Sequence, residues 1–575
     1  MDTVNSAADT APDDSSSLDA LVGELRRGEE TWGAMSLSAR RDLLAALSEA
    51  VREHAGEWVD AACAIKRLDP GSPLVGEEWI SGPYALLGGI GALSATLAAL
   101  ASGRSPVDGF RLSRAPGDRV AVRVLPHGPF DRLLLHGFRA EVWSEPGVTA
   151  GRLKETAGLG QRTPEKTGGV GLVLGAGNIL SIAPLDTLYE LFAHNRVVLL
   201  KLNPVTDPLL PVLTKVFARF VELGLVRIVT GGVDLGAAAV AHPGIGHVHI
   251  TGSVRSHDTI VFGPGEEGRE RQARGEALLD KPITSELGGV SPTIVVPGKW
   301  SKRDLAYQAE HLVTQKLHNN GYNCIASQVL VLSEDWPQKD DFLGALRAAF
   351  AAAPPRPAYY PGSDDRCRAA VRDHPGTAER VAGGSRVLLE VPADGDVAFT
   401  EEYFAPVLAV TSLPGRGREF LDRAAAFADE RLSGTLGANV VAHPRTIRAL
   451  GADFTHFVAA LRYGTVAVNA WTGVGYLTAR ATWGAFPGHT LRDVQSGIGT
   501  VHNGLLLDGT ERTVVHGPFR PFPRSVLTGL FALSPRPPWF VTHRTAATTG
   551  RRLTAFAGRP SWTGLPGIFA SALRG

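Results

Sequence analysis

The chain has 575 residues, 44% of them hydrophobic and 20% charged, which is enough for two or three folded domains. Lys plus Arg and Asp plus Glu both total 58, and this balance argues against a nucleic-acid or acidic-membrane partner. The three cysteines (Cys63, Cys324 and Cys367) cannot form a disulfide framework, and they lack the spacing of a metal site.

The first residues, MDTVNSAADTAPDDSSS, are polar and acidic, without the basic and apolar regions of a secretory signal. Residues 1–17 are therefore expected to form a disordered leader, and the protein is expected in the cytoplasm. Helical patterning follows from about Leu18 to Ala101. Inside it, residues 82–103 carry no charge and approach the length of a bilayer span, but they are rich in Ala, Gly and Ser. We favour a buried, tightly packed helix over a membrane span.

Residues 119–143 contain two strand-like runs, RVAVRVLP and RLLLHGFRAEVW, separated by HGPFD, which indicates a hairpin. From Gly169 onward, apolar strands such as GVGLVLG and RVVLLKL alternate with helices such as IAPLDTLYELFAHN. A second series of this kind includes PTIVV, QVLVLS, APVLAV and GTVAVN. Buried strands that alternate with helices predict parallel sheets covered on both faces, so the fold class is α/β, with two Rossmann-like doubly wound domains.

Small residues follow three strands of the first series, at GAGNIL (175–180), TGG (230–232) and TGS (251–253). Each turn stands at the carboxyl end of a strand and before a helix, where backbone N–H groups can meet a phosphate. Gly232, Gly252 and Ser253 are therefore candidate nucleotide-binding residues. Alternatively, the glycines only make tight turns between strand and helix.

Cys324 stands at the end of NNGYNC, a stretch that suits neither a helix nor a strand and so predicts a turn. The thiol is either an incidental loop residue or a nucleophile held up to a cleft. Cys63 and Cys367 match no motif and are interpreted as structural.

Together, several motifs resemble those of the aldehyde dehydrogenase superfamily, in that family's order and over roughly residues 20–515. They are LLKLNP, VTGG, HPGIGHVHITGS, SELGGVSPTIVV, NNGYNC, EEYFAPVLAV and GTVAVNAW. The resemblance implies that Cys324 attacks an aldehyde, that Asn178 and the Cys324 backbone N–H stabilise the oxyanion, and that Glu286 activates the water that hydrolyses the thioester.

The resemblance also implies a cofactor, NAD or NADP, held by Lys201 at the adenosine ribose, by Glu402 at the nicotinamide ribose and by Phe404 beside the ring. Pro204 stands three residues after Lys201, where an acid would favour NAD, so NADP stays open, and Asp207 is a second candidate for that effect. Tyr322 and Trp471 are candidates for the wall of the substrate tunnel. The hairpin at 119–143 and the strand-like run at 511–517 are expected to make subunit contacts outside the catalytic core, in a homodimer or homotetramer.

The domains expected on this basis are the leader (1–17), N-terminal helices and the cofactor domain (18–284), a catalytic domain (285–480), and a return to the cofactor domain with a C-terminal extension (481–575). Several positions depart from the family pattern, among them Tyr322, Ala405 and the charged stretch at 262–280. The expected activity is oxidation of an aldehyde to a carboxylic acid. The alternatives are a coenzyme A-acylating relative, which Glu286 disfavours, and a non-catalytic scaffold descendant.

Overall fold

The structure is a computed structural model that describes residues 14–164, 167–532 and 534–575. The predicted leader lies mostly outside these residues, and the first helix already begins at Asp14. Helices α1 to α21 run over Asp14–Ala34, Leu37–Lys66, Val75–Trp79, Ala85–Ala101, Pro129–Leu134, Ala150–Thr156, Ile182–His194, Leu210–Val216, Ala218–Glu222, Val233–Ala241, Val254–Phe262, Gly265–Arg274, Lys302–Leu317, Lys339–Ala352, Ser363–Asp373, Gly417–Arg431, Pro444–Leu450, Ala452–Ala460, Gly473–Leu477, Ala546–Gly558 and Leu565–Ala572. Strands β1 to β19 run over Arg111–Ala115, Arg119–Leu125, Arg139–Ser144, Val170–Leu174, Val197–Lys201, Val226–Val229, His247–Gly252, Ile283–Leu287, Ser291–Val295, Ser327–Ser333, Ala378–Val381, Arg386–Glu390, Val407–Leu413, Gly437–Val441, Thr465–Val468, Thr482–Gly484, Gly497–Ile498, Thr500–Asn503 and Thr510–His516.

The smaller of two large sheets has six strands in the order β17-β8-β7-β4-β5-β6. The pairs from β8 to β6 are parallel, and only β17 runs antiparallel to its neighbour. Its central strands are buried along almost their whole length, and they pack with helices α1, α2 and α7 in one apolar core. This confirms the predicted first α/β domain.

The larger sheet has eleven strands in the order β1-β2-β3-β19-β15-β14-β9-β10-β13-β12-β11. Its centre, from β19 to β12, is parallel, with separate apolar clusters on its two faces. The predicted α/β fold with two doubly wound domains is confirmed. The chain changes from the smaller to the larger sheet between β8 and β9, so the boundary expected at residue 285 falls inside β8.

The predicted hairpin exists, since β2 and β3 pair antiparallel. It does not stand outside the catalytic core, however, because β3 pairs with β19 and β19 pairs with β15 of the larger sheet. The expectation that the hairpin at 119–143 and the run at 511–517 lie outside the catalytic core is therefore wrong. Both edges of β19 are paired within the chain, and β1 is the outermost strand at this end of the sheet. A homodimer or homotetramer stays a prediction.

The uncharged segment at 82–103, predicted as a packed helix, forms α4 and the end of the helical turn Ile80–Tyr84 that joins α4 to α3. Val75–Ala101 is long and apolar enough to cross a membrane by length and composition. Within the protein it packs against α2 and α20, and Leu86, Ile90 and Leu97 are buried in the core shared with the smaller sheet. The favoured interpretation of this segment agrees with that packing.

Candidate active site

Three consecutive residues in the left-handed region turn the chain just before Cys324. Asn319, Asn320 and Gly321 have φ values of 51°, 57° and 80°, and Asn and Gly tolerate this region better than other residues. A Cβ atom on Gly321 would also lie 2.7 Å from the carbonyl oxygen of Ala405. The unusual composition of NNGYNC is thus a backbone requirement, and it places a half-buried thiol between α13 and β10.

A buried cluster of charges anchors this turn. Glu77 accepts a hydrogen bond of 2.9 Å from the backbone N–H of Asn319, and it also pairs with Arg356. Arg356 reaches Glu78 at 3.2 Å, and Lys66 binds Glu78 at 2.8 Å. All four charged side chains are at most 4% exposed. Two cations therefore balance two anions inside the protein, and the cluster ties the turn to α2 and α3.

Glu286 approaches the thiol from β8. The Sγ atom of Cys324 donates a weak hydrogen bond to Oε1 of Glu286 over 3.6 Å, and Trp483 Nε1 donates to the same oxygen at 2.7 Å. The other carboxylate oxygen, Oε2, is buried and has no partner among the described residues. The two sequence-predicted groups are therefore in contact, and the glutamate keeps one oxygen available to a further donor.

Burial governs the charge states of both groups. Burial raises the pKa of the Cys324 thiol well above its usual range, and the carboxylates of Glu286 and Glu402 raise it further. Burial also raises the pKa of Glu286, while the Trp483 hydrogen bond opposes that rise. Both shifts favour the protonated thiol, and the carboxyl group of Glu286 lies beside it in position to exchange that proton.

Asn178 touches the same turn from the loop that follows β4. Its Nδ2 donates to the carbonyl oxygen of Tyr322 at 2.9 Å, and the side chain is buried. One of its two amide hydrogens is therefore used in fixing the turn. The structure brings Asn178, Glu286 and Cys324 to one place, although the Asn178 amide contacts the backbone two residues before the cysteine.

A small cavity of about 40 Å³ lies over the thiol. Cys324 and Glu286 line it together with apolar and aromatic side chains, chiefly Ile182, Trp471, Tyr476, Trp483 and Trp539. Such walls exclude water and strengthen the electrostatic interactions inside.

The residues predicted to bind a nucleotide lie along one edge of the smaller sheet. Lys201 ends β5, Gly232 follows β6 and caps α10, and Gly252 ends β7 just before Ser253 at the start of α11. The strands β5, β6 and β7 belong to one parallel series, with β4 between β5 and β7, so their carboxyl ends meet at the same edge of the sheet. Space beside Gly232 is open, since a Cβ there would meet no atom within 4 Å.

Glu402 and Phe404 lie in the segment that immediately precedes β13. Burial raises the pKa of Glu402 to about 8, against the pull of Lys316. Its Oε2 would lie 2.1 Å from a Cβ on Gly288, which explains why glycine follows β8. Phe404 has a φ of 43°, a strained value for an aromatic residue, and its ring centre is 4.8 Å from that of Tyr360.

Part of the chain matches a family of known proteins. The model of the aldehyde dehydrogenase family matches residues 166–359. The 3,6-anhydro-alpha-L-galactose dehydrogenase of Streptomyces coelicolor is 26% identical over 416 residues, which cover 71% of this chain and 70% of that protein. Residues 166–359, about a third of the chain, thus match the aldehyde dehydrogenase family, and the family match and the relative's name support an oxidoreductase acting on aldehydes.

Two solved aldehyde dehydrogenase structures share the fold. Gamma-glutamyl-gamma-aminobutyraldehyde dehydrogenase from Burkholderia cenocepacia has a TM-score of 0.58 and 20% identity, over 87% of this chain and 88% of that one. Aldehyde dehydrogenase C from Pseudomonas syringae, whose structure contains NAD+ and octanal, also has a TM-score of 0.58, with 18% identity over 88% and 90% of the two chains.

Tyr322, a candidate for the wall of the substrate tunnel, does not line the cavity over Cys324. Its side chain is fully buried, its hydroxyl donates to Ser363 at 2.8 Å, and its ring packs among Tyr359, Tyr360 and Phe404. Trp471 does line the cavity beside the thiol. Trp483, which donates a hydrogen bond to Glu286, was not predicted as a site residue.

Proposed function

We propose that this chain oxidises an aldehyde to a carboxylic acid with NAD or NADP, through a thioester on Cys324. The observation that carries the proposal is the contact of 3.6 Å between the half-buried thiol of Cys324 and the buried carboxyl group of Glu286, both of which line a small, mostly apolar pocket. A buried carboxylate beside a protonated thiol is a base in position to generate the nucleophile.

The residues along the sheet edge fit a nicotinamide dinucleotide. The space beside Gly232 is open and no side chain caps the start of α10, so backbone N–H groups there are available to phosphate. Val233 and Val254, in the first turns of α10 and α11, are 84% and 41% exposed, which suits a flat apolar ring system. Glu402 keeps a buried Oε1 without a partner among the described residues, so it can accept from ribose hydroxyls. In this proposal Lys201 and Glu402 bind the two riboses, and Phe404 packs beside the nicotinamide.

The first step makes the nucleophile and the tetrahedral adduct. Glu286 accepts the thiol proton, the thiolate attacks the carbonyl carbon, and a C–S bond forms while the carbonyl π electrons move to oxygen. The backbone N–H of Cys324 and the remaining amide hydrogen of Asn178 are the donors for that oxyanion. The bound nicotinamide supplies the acceptor for the hydride. Loss of the hydride leaves a thioester on Cys324.

The second step releases the acid. Glu286, after giving its proton to solvent, accepts a proton from water as that water attacks the thioester carbon. The C–S bond then breaks, the carboxylic acid leaves, and the sulfur regains a proton. Trp483 holds the glutamate toward the pocket in both steps. The coenzyme A-acylating alternative has less support, because a thiol acceptor does not need this general base.

A rapid-mixing experiment on Glu286→Gln tests the proposal. The variant should still give one burst of reduced nicotinamide at high pH, where hydroxide ionises the thiol, and then stall. Steady-state turnover should fall by about 10²- to 10⁴-fold, the usual contribution of a general base. Addition of coenzyme A tests the acylating alternative, because turnover of an acylating enzyme would recover when coenzyme A accepts the acyl group. Unchanged hydrolysis in the variant would reject the assigned role.

A further inference from the structure

A second, larger cavity of about 420 Å³ adjoins the catalytic pocket. Ile80, Leu477 and Trp539 line both spaces, so these side chains form the boundary between the small cavity over Cys324 and the large one. A cavity of this size falls in the range that binds small organic molecules. We call it the antechamber.

Three separate parts of the chain build the antechamber. The N-terminal part contributes α4, through residues such as Leu87, and the connection between β2 and β3 contributes Phe130 and Phe138. The remaining wall comes from the C-terminal extension, with side chains such as Leu553 and Phe569. Most of these groups are aliphatic or aromatic, so the space suits an apolar guest.

The C-terminal wall is a firmly packed part of the protein. Arg520 and Arg524 both pair with the buried carboxylate of Asp304 at the start of α13, at 2.8 and 2.7 Å. Trp539 and Phe540 are buried, and Phe540 stacks on the rings of α13. Helix α13 leads directly into the cysteine turn. The C-terminal wall and Cys324 are therefore both positioned by α13.

The antechamber has an apolar rim on the protein surface. Phe531 is 54% exposed and packs its ring on His136, while Trp562 is 62% exposed and packs on Phe130. Both partners, His136 and Phe130, line the antechamber. These two contacts therefore extend the apolar lining of the antechamber to the protein surface.

Charged groups are few in the described part of the wall. Asp131 accepts a hydrogen bond of 3.0 Å from the backbone N–H of His127, and it caps α5. Arg480 lies near it, and burial lowers the pKa of its guanidinium. Two charges at one place can orient a ligand, but they leave most of the wall apolar.

We propose that the antechamber binds the apolar body of a long-chain aldehyde whose carbonyl reaches Cys324, and that the C-terminal extension sets this preference. The proposal rests on the proposed function, since it names the substrate class of that same site. The aldehyde group would pass between Ile80, Leu477 and Trp539 toward Cys324. The hydrocarbon chain behind it would fill the antechamber, whose wall includes Phe569.

Chain-length dependence tests this first. With straight-chain aldehydes from butanal to decanal, kcat/KM should rise by about fourfold for each added methylene, the value of burying one such group. A hydroxylated sugar aldehyde of similar length should react poorly. A flat series, or a preference for the sugar aldehyde, would overturn the proposal.

A variant that fills the antechamber tests its location. Gly91 lines it from α4, and a Cβ there would meet no atom within 4 Å, so Gly91→Leu fits without a backbone clash. It should lower kcat/KM for decanal at least tenfold and leave butanal within about twofold. Gly56→Leu, in α2, is the matched control, because a Cβ there also meets nothing within 4 Å and the residue lies outside the antechamber.

A binding measurement separates this proposal from the catalytic one. Calorimetric titration with 1-decanol, which cannot form the thioester, should show binding to the wild type and to Gly56→Leu, and much weaker binding to Gly91→Leu. If decanol binds in this pattern while no aldehyde is oxidised, the antechamber stands and the proposed function fails. If aldehydes are oxidised but decanol binding is absent or unaffected by Gly91→Leu, the antechamber proposal is wrong.

Discussion

The thiol of Cys324 donates a hydrogen bond of 3.6 Å to the carboxylate of Glu286, and both groups line a small pocket with mostly apolar walls. Each group raises the cost of ionising the other, because two negative charges at this distance repel. In the resting pair the proton therefore stays on the sulfur, and only the glutamate can carry a negative charge. Proton transfer from sulfur to carboxylate is the step that makes the site reactive.

Removing the carboxylate should make the thiol more acidic. Burial is the largest cause of the raised pKa of Cys324, and Glu286 adds to it both by its charge and by its hydrogen bond. In Glu286→Gln the charge is gone, so the pKa of the thiol should fall. The rate of alkylation by iodoacetamide should then rise at a lower pH than in the wild type. If the pH profile of the alkylation rate is unchanged in the variant, or moves to higher pH, the result would contradict the contact between Cys324 and Glu286.

Trp483 should tune the glutamate itself. Its indole N–H stabilises the ionised form of Glu286 and so opposes the rise in pKa that burial causes. Trp483→Phe should raise the pKa of Glu286 further, and the acid limb of the kcat/KM profile should move to higher pH. Trp471→Phe is the control, since Trp471 lines the same pocket but its Nε1 has no partner among the described residues. Equal shifts in both variants would show that the effect is one of packing.

Much of the fold could be predicted because the parallel strands are short apolar runs with glycine at their ends. β4, β5 and β7 were recognisable for that reason, and so was the cysteine turn, where Asn319, Asn320 and Gly321 supply three left-handed residues. The sequence of residues 207–224 predicts one helix. The structure has a short turn that contains Pro208, then α8 and α9, because a proline inside a helix removes an N–H group that a continuous helix needs.

Contacts between distant parts of the chain could not be predicted in the same way. Nothing near residue 483 indicates that its indole meets Glu286, 197 positions away. The hairpin was recognised from its alternating pattern, but its place in the larger sheet depends on β19, more than 360 residues later. The antechamber also depends on such contacts, since its walls come from α4, the β2–β3 connection and the C-terminal extension.

Cys324→Ser should abolish aldehyde oxidation while nucleotide binding stays within a few-fold of the wild type. A serine hydroxyl in this apolar pocket has a far higher pKa than a thiol and no strong base to ionise it. Turnover is followed by the absorbance of reduced nicotinamide, and nucleotide binding by calorimetry. Cys367→Ser is the control, because Cys367 lies outside the pocket. Substantial turnover in Cys324→Ser would remove this residue from the mechanism.

The charge cluster under the cysteine turn should be important for stability. Arg356→Met removes a cation that contacts both Glu77 and Glu78 and leaves those carboxylates buried beside Lys66 alone. Breaking a buried pair in this way costs about 3–5 kcal/mol, so the urea midpoint should fall clearly. Arg368→Met is the control. Its side chain is 63% exposed and pairs with an equally open Asp365, so its loss should cost less than about 1 kcal/mol.

Cofactor choice should depend on the turn that follows β5. Asp207 lies close enough to Lys201 to raise the pKa of that ammonium, which burial lowers, and its Oδ1 has no partner among the described residues. A carboxylate beside the predicted ribose site repels a 2′-phosphate by about 1–4 kcal/mol, depending on the local dielectric. Pro204, at the start of the turn, adds no charge. We therefore expect both cofactors to be accepted, with NAD preferred by about 10- to 100-fold.

Two opposite substitutions test this expectation. Asp207→Asn removes the negative charge with little change in shape, so it should bring the ratio of kcat/KM for NAD to that for NADP down by about tenfold, or 1.4 kcal/mol. Pro204→Glu adds a negative charge on the same turn and should raise the ratio. Both are measured with one aldehyde at fixed ionic strength, because dissolved salt screens the repulsion between charges. The idea fails if the wild type already rejects NADP by several thousand-fold, or if neither substitution moves the ratio.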